Sequence, residues 1–136
     1  MGYDILDQDG QHSSFFSSCV QAADYIESQG FSKQQINIGF PFYGTWEGGR
    51  MEQYAYNAIT EEISPFNNFY TMKKYDTQED RYTYFNSQAI IRDKTAYAYL
   101  KGYGGVMIFS QYCDLPSGDE RSLTKAISDY LQEVKK

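Results

Sequence analysis

The chain has 136 residues, with 12 Lys and Arg against 18 Asp and Glu, for a formal net charge of −6 and an isoelectric point of about 4.7. This length suits one domain with a real core, and the acidic balance argues against nucleic acid as the natural partner. No apolar run approaches the roughly 20 residues of a membrane-spanning helix, and no signal peptide opens the sequence, so we expect no membrane partner.

Two strands and a helix between them are the first elements that the sequence predicts. Residues 2–6 form the first strand, and the β-branched run at 36–40 forms the second. A helix is predicted over residues 18–29, where Ser18 and Gln21 have the spacing of a capping box. A strand, a helix and a strand in this order form a βαβ unit, whose strands are parallel and whose crossover is right-handed.

The second strand ends in a loop that is rich in aromatic rings. Pro41 cannot donate a ladder hydrogen bond, so strand pairing should fail near it. Phe42, Tyr43 and Trp46 follow and place three rings at one end of the strand. Ligands of α/β folds bind at this end of the strands. Trp46 is the single tryptophan of the chain, and we interpret it as the main candidate for stacking on a ligand, with Tyr43 behind it.

The pattern changes after Trp46. Residues 47–85 alternate aromatic with polar side chains and have no sustained helical period, which predicts a small antiparallel excursion. A helix over 87–101, a strand over 104–110 and an amphipathic helix over 121–134 complete the prediction. The apolar stripe of the second helix is predicted to contain Ile90, Ile91, Tyr97 and Leu100. We expect one α/β unit over residues 1–136.

Several motifs, in order and with agreeing spacing, resemble one known family. INIGFPFYGTW at 36–46 resembles the seventh barrel strand of glycoside hydrolase family 18, the chitinases and chitinase-like proteins. MGYD at 1–4 is similar to the family's M-x-Y-D on strand six, and His12 opens a small polar segment that the family shares. GGVMIF at 104–109, followed by Asp114, resembles strand eight.

The resemblance implies a partial TIM (β/α)8 barrel. It covers strands 6–8 and their helices, with a short α+β insertion over about 47–85 after strand 7. A complete barrel of this kind needs about 250 residues, so we expect residues 1–136 to be the C-terminal portion of the family's catalytic domain.

The resemblance also implies substrate-binding roles for Tyr3, Asp4, Tyr43, Trp46 and Phe109. In the family, the strand-six tyrosine donates to the acetamido oxygen of the sugar, and the aspartate beside it lies in the cleft. Phe109 departs from the family, which usually has Trp as the floor beneath the sugar. The family's general acid is the Glu of D-x-x-D-x-D-x-E on strand four. We expect no catalytic residue in this chain, because that strand should lie outside it.

A similar motif occurs at residues 4–11, DILDQDGQ, with Gln11 where the family has its acid. We interpret it as a coincidence, because Gln8 and Gly10 suit a turn, whereas a buried strand needs apolar residues there. The same segment lacks the Glu that a calcium loop requires. Neither cysteine has a metal-binding spacing, and we expect no metal and no cofactor.

The leading function is a chitinase-like hydrolase acting on β-1,4-linked N-acetylglucosamine polymers, of which the isolated chain would be an inactive part. One alternative is a catalytically dead carbohydrate-binding module for chitin or peptidoglycan, and another is a structural element with no sugar role. The expected partners are a chitin-type or peptidoglycan-type oligosaccharide and either the missing N-terminal half of the barrel or a second copy in a homo-oligomer. The family implies a secreted or cell-surface location for the full-length protein.

Overall fold

The structure is a computed structural model that describes residues 5–6, 12–13, 16–46, 49–59, 69–73 and 80–136. Within these ranges, side chains are described for residues 16–45, 54–59 and 83–136, and the backbone alone for the rest. No helix in this part of the chain is long and apolar enough to cross a membrane.

Eight strands and three α-helices make up the described fold. In chain order they are β1 (Ile5–Leu6), β2 (His12–Ser13), α1 (Phe16–Ser28), β3 (Asn37–Pro41), β4 (Tyr43–Trp46), β5 (Gly49–Ala55), β6 (Phe69–Lys73), β7 (Asp80–Tyr84), α2 (Gln88–Lys101), β8 (Gly105–Phe109) and α3 (Leu123–Val134). Short 3-10 turns lie at Lys33–Gln35, Tyr56–Ala58 and Gln111–Cys113.

The central feature is the parallel ladder of β3 and β8. Its register pairs Gly39 with Met107 and Pro41 with Phe109. The strands predicted at 36–40 and 104–110 are therefore confirmed as a parallel pair. Their β-branched and aromatic residues favour extended backbone, and the ladder ends at Pro41, which has no N–H to donate.

Side chains alternate between the two faces of this ladder. Ile38 and Phe40 on β3, with the partly buried Val106 and Ile108 of β8, belong to the hydrophobic core. The core also takes residues from all three helices, namely Cys19, Ala23, Ile91, Ala98, Leu123, Ala126 and Ile127. At the start of β8 the backbone passes very close to a neighbour, since a Cβ on Gly104 would lie 2.2 Å from the carbonyl oxygen of Gln34.

The first predicted strand lies partly outside the described residues. Residues 2–4 are not among them, and β1 consists of Ile5–Leu6, which pairs antiparallel with His12–Ser13. The small polar segment that His12 opens therefore supplies a strand that pairs with β1. A chain that reverses over so few residues pairs only in the antiparallel sense.

The excursion between β3 and α2 is a four-stranded antiparallel sheet in the order β5-β4-β7-β6. The prediction of an antiparallel excursion is confirmed, but its start at 47 was wrong, because the sheet already begins at Tyr43. Gly44 permits this early start, since a Cβ there would lie 2.5 Å from Thr83 Cγ2 on the neighbouring strand. The described helical content of the excursion is the 3-10 turn Tyr56–Ala58.

The N-termini of α2 and α3 follow local capping chemistry. Ser87 and Ser122 precede α2 and α3, and their hydroxyls accept hydrogen bonds from the backbone N–H groups of Ile90 and Lys125. The capping box predicted at Ser18 was wrong, because α1 begins at Phe16 and Ser18 is a buried residue inside it.

The apolar stripe predicted for α2 was only partly right. Ile91 is fully buried, whereas Leu100 is 79% exposed. The buried face of α2 instead includes Lys94, whose Nζ donates to Oδ1 of Asn86 at 2.5 Å. Burial lowers the pKa of Lys94 from 10.5 to about 8.

Candidate functional site

The carboxyl ends of β3 and β8 bring two predicted site residues together. Phe42 follows β3, and its backbone N–H donates to the carbonyl oxygen of Phe109 at 2.8 Å. This hydrogen bond holds the first residues of β4 beside the last residue of β8. The rings of Tyr43 and Phe109 then meet edge to face, with centroids 6.3 Å apart and planes at 87°, a favourable aromatic geometry.

The two rings differ in exposure, and the difference separates their roles. Phe109 is 50% exposed, whereas Tyr43 is 4% exposed. A ligand can therefore reach the Phe109 ring, while Tyr43 supports that ring from behind. The structure places Tyr43 behind Phe109, and the predicted position of Tyr43 behind Trp46 involves a side chain outside the described residues.

Three further predicted site residues have no described side chain. Tyr3 and Asp4 lie outside the described residues. Trp46 ends β4, where its backbone pairs with Gly49 on one side and Thr83 on the other. The structure therefore assembles Tyr43 and Phe109, and it fixes the backbone position of Trp46.

Phe109 belongs to an exposed apolar face of the ladder. Met107 lies two residues before it on the same face of β8 and is 36% exposed. This face is opposite to the one that packs against the helices. Met107 and Phe109, about one third and one half exposed, give an apolar surface in one row that suits either a ligand or further protein.

Asp114 follows β8 and has a structural role that the sequence did not reveal. Its carboxylate accepts hydrogen bonds from the hydroxyl of Ser122 and from the backbone N–H groups of Leu115, Leu123 and Thr124, at 2.8–2.9 Å. The carboxylate thus caps the N-terminus of α3. Asp114 ends the motif that resembles strand eight, and these hydrogen bonds show why an acid is suited to that position.

The antiparallel excursion docks onto the loop between β8 and α3. Asn57 Nδ2 donates to the carbonyl oxygens of Tyr112 and Asp114, at 2.8 and 3.1 Å. The hydroxyl of Tyr56 donates to the carbonyl oxygen of Arg121 at 2.9 Å. Burial, followed by the nearby Asp114, raises the pKa of Tyr56, so this phenol stays a neutral donor. These bonds position the loop that follows Phe109.

Sequence reasoning missed one exposed ring in this loop. Tyr112 is 80% exposed and lies three residues after Phe109, in the 3-10 turn Gln111–Cys113. The available signal was an aromatic residue between polar neighbours at the carboxyl end of a strand. Within the described ranges, no three His, Cys, Asp or Glu side chains converge on a possible metal position.

The arrangement of the described side chains suits the binding of a flat ligand. It combines an exposed apolar ring, a supporting ring behind it and a well-anchored polar loop beside it. Asp114, the acid next in sequence after Phe109, has both oxygens engaged by backbone and hydroxyl donors. An apolar ring of this kind packs against the C–H face of a flat ligand.

A comparison with protein families decides the assignment. The family profile described as Glycosyl hydrolases family 18 matches residues 1–114, which is most of the chain. The chain belongs to this family. The resemblance noted from the strand motifs is thereby confirmed, and no curated protein matches the sequence.

Solved structures of family members share the α/β fold. A chitinase from Flavobacterium johnsoniae superposes with a TM-score of 0.72 at 23% identity, over 99% of this chain and 42% of its own. A chitinase from Bacteroides thetaiotaomicron gives 0.74 at 22% identity, over 98% and 44%. The second catalytic domain of an Ostrinia furnacalis group II chitinase, as a variant in complex with penta-N-acetylchitooctaose, gives 0.64 at 16% identity, over 90% and 42%.

The coverage is as informative as the similarity. This chain is matched almost from end to end, yet it spans less than half the length of each of these three structures. It therefore corresponds to a part of the family fold.

Proposed function

We propose that this chain supplies part of the substrate cleft of a chitinase-type glycoside hydrolase that acts on β-1,4-linked N-acetylglucosamine polymers. The observation that carries the proposal is the half-exposed Phe109 ring, backed by Tyr43 at the carboxyl ends of two parallel strands. Family membership and the complex of the Ostrinia furnacalis relative with a chitin-type oligosaccharide support the choice of sugar.

Each proposed contact has a physical role. Phe109 is the apolar floor on which the C–H face of the sugar packs, and Trp46 adds a second stacking ring. The hydroxyl of Tyr3 donates to the acetamido oxygen, and Asp4 accepts from sugar hydroxyls. Tyr43 touches no sugar in this proposal, because it is buried and keeps the Phe109 ring in place.

The proposed reaction of the whole enzyme is substrate-assisted hydrolysis. The N-acetyl group of the sugar attacks the anomeric carbon, while a glutamic acid on another barrel strand protonates the leaving oxygen. General acid catalysis contributes roughly 10²–10⁴-fold, and Asp114 is bound up in capping α3. We expect the chain alone to bind sugar weakly and to hydrolyse none, with neither metal nor cofactor involved.

The Met107 and Phe109 face also implies a protein partner. Among the described residues β3 and β8 pair with each other alone, and Met107 and Phe109 of β8 are exposed, a combination that favours association with further strands. We propose that further barrel strands cover this face in the active enzyme, supplied by the N-terminal half of the barrel or, in its absence, by a second copy. The proposed location of the full-length enzyme is secreted or at the cell surface.

A second candidate function is a non-catalytic module that binds chitin or peptidoglycan. Phenylalanine at position 109 favours it, because phenylalanine has a smaller stacking area than the usual tryptophan and no indole N–H. A catalytic general acid on the strands that complete the barrel would support the hydrolase, and a substituted acid would support the binding module.

The test is a titration of the chain with N-acetylglucosamine oligomers, followed by the fluorescence of Trp46, which is the single tryptophan. We expect a change at millimolar ligand that Phe109→Ala abolishes. Leu100→Ala is the matched control, because Leu100 is exposed on the outer side of α2. If the emission spectrum stays unchanged up to the solubility limit of the N-acetylglucosamine tetramer, this chain does not bind the sugar.

A further inference from the structure

Two reactive side chains that the proposed function does not use lie in the same part of the core. Cys19 on α1 is 2% exposed, and Lys94 on α2 has no exposed surface. Lys94 belongs to the buried stripe of α2, between Ile91 and Ala98, and these two residues share the hydrophobic core cluster with Cys19. The packing of α1 against α2 therefore encloses a thiol and an amine in one core.

The two side chains point to the same end of the helix pair. Because α1 leads to β3 and α2 leads to β8, and these strands are parallel, the two helices run in the same direction. The salt bridge of Lys101 with Asp24, at 3.7 Å, joins their C-terminal halves. Cys19 lies near the N-terminus of α1. Nζ of Lys94 reaches toward the N-terminus of α2, where it donates to Oδ1 of Asn86 at 2.5 Å.

The charges of the two side chains also act on each other. Burial raises the pKa of the Cys19 thiol from 9.0, and Lys94 acts in the opposite direction by favouring the thiolate. Burial lowers the pKa of Lys94 to about 8, and Cys19 in turn favours its ammonium form. Lys94 is therefore within electrostatic range of the sulfur. Near pH 8 a large share of Lys94 is the neutral amine, which is the nucleophilic form.

A small cavity gives an oxidant access to the sulfur. The cavity has a volume of about 50 Å³, and its lining includes Cys19, Ile26 and Asn37. Ile26 and Asn37 are exposed, whereas Cys19 is buried, so the cavity lies between the solvent and the thiol. One water molecule takes about 30 Å³ in the liquid. Hydrogen peroxide therefore fits this space, and a bulky thiol such as glutathione does not.

We infer that Cys19 and Lys94 form a redox-responsive modification site, at which a peroxide joins the sulfur to the amine nitrogen. The Cys19 thiolate attacks a peroxide oxygen, so an S–O bond forms and the O–O bond breaks. The departing hydroxide takes a proton from the Lys94 ammonium and leaves as water. The neutral amine then attacks the sulfenic sulfur, an S–N bond replaces the S–O bond, and the hydroxyl leaves as water with an amine proton. Sulfur loses the electron pair that the peroxide gains, and the product is a sulfenamide that ties α1 to α2.

The experiment treats the full, folded chain with hydrogen peroxide and analyses a tryptic digest by mass spectrometry. In the untreated chain trypsin cuts after Lys94 and releases Cys19 in the peptide 1–33. In the oxidised chain we expect cleavage after Lys94 to be lost, because its amine is blocked. The peptide 1–33 should then be joined to the peptide 93–101, with a mass lower than their sum by a pair of hydrogen atoms. A thiol reductant should restore the separate peptides.

Variants of the two cysteines separate this site from general oxidation. Cys113→Ser is the matched control, because Cys113 is also a buried free cysteine, and it should still give the joined peptide. Cys19→Ser and Lys94→Met should give none, and the wild-type digest decides alone where a variant does not fold. A sulfenic or sulfinic acid at Cys19 with normal cleavage after Lys94 would overturn the inference. An unmodified Cys19 in a chain whose exposed Met107 has become the sulfoxide would do the same.

Discussion

The two faces of the β3–β8 ladder are built from similar residues but have different surroundings. Phe40 lies on the face toward the helices and has no exposed surface, whereas Phe109 lies on the opposite face and is half exposed. The first face closes the hydrophobic core of this chain. The second is buried at Pro41 on β3 but exposes Met107 and Phe109 on β8, where a ligand or more protein can bind. Hydrophobicity alone therefore does not distinguish a core residue from a binding residue. The alternation of side chains along the strand decides which face, and so which role, each residue has.

The largest expected effect tests this difference directly. Phe40→Ala should lower the free energy of unfolding by about 3–5 kcal/mol, because it leaves a cavity in a filled core. Phe109→Ala should lower it by about 1 kcal/mol or less, since the ring is half in solvent and mainly loses its edge contact with Tyr43. Urea unfolding of both variants gives the two values.

The same pair of variants should rank in the opposite order for sugar binding. Phe109→Ala should remove the fluorescence response, whereas folded Phe40→Ala protein should keep it. Equal losses of stability in the two variants would mean that Phe109 is a core residue, and the division between the two faces would be wrong.

A smaller loss of stability is expected at Asp114, which follows β8 and, unlike the exposed Phe109, holds the fold together by capping α3. Asp114→Asn should cost about 2–3 kcal/mol of stability, because an amide cannot accept from all the donors that converge on the carboxylate. Asp129→Asn is the control: Asp129 pairs with Lys125 at the surface of α3, and such pairs contribute about 1 kcal/mol or less.

The assay for Asp114→Asn is again urea unfolding, with the oligosaccharide titration run beside it. We expect stability to fall and the affinity of the residual folded protein to stay near that of the wild type. A variant with native stability and lost affinity would instead make Asp114 a sugar ligand.

The parts of the fold that were predictable from sequence depend on local signals. The strand at 36–40 and the helix after Ser87 were correct because a β-branched run and a serine cap act within a few residues. The early start of β4 at Tyr43 was missed because its partners lie far along the chain, on β5 and β7. Pairing of that kind is set by tertiary contacts, which a single sequence does not display.

The same limit applies to the site. Phe109 was predicted from its motif, but the burial of Tyr43 follows from packing between two strands that are distant in sequence. Tyr112 was missed because the 80% exposure of its ring is visible only in the folded turn Gln111–Cys113. Tyr3, Asp4 and the side chain of Trp46 lie outside what the structure describes, so their roles stay predictions.

Lys94 is the least expected residue among the buried side chains of α2, which packs on the helix side of the β3–β8 ladder. It has no exposed surface, and its Nζ donates to Asn86. The helix period placed apolar residues around it, and a lysine is rarely so buried. Its pKa of about 8, lowered from 10.5 by burial, offers a way to observe this face in solution.

The sign of the effect follows from proton counting. Between about pH 8 and 10.5 the unfolded chain holds a proton on Lys94 that the folded chain has released, so stability rises with pH there. Cys19 acts in the opposite direction above pH 9, because burial raises the pKa of its thiol from 9.0 and the unfolded chain loses that proton first. The clean window for Lys94 is therefore pH 8 to 9.

The smallest predicted effect is a difference between two stability curves in this window. A fully released proton changes stability by about 1.4 kcal/mol per pH unit, so the wild type should gain about 1 kcal/mol relative to Lys94→Met between pH 8 and 9. The difference cancels all groups that titrate alike in both proteins. Lys101→Met, at the half-exposed end of the same helix, should follow the wild-type curve. Parallel curves for the wild type and Lys94→Met would show that Lys94 stays protonated in the folded protein. The buried face of α2 would then carry a charged group beside the hydrophobic core.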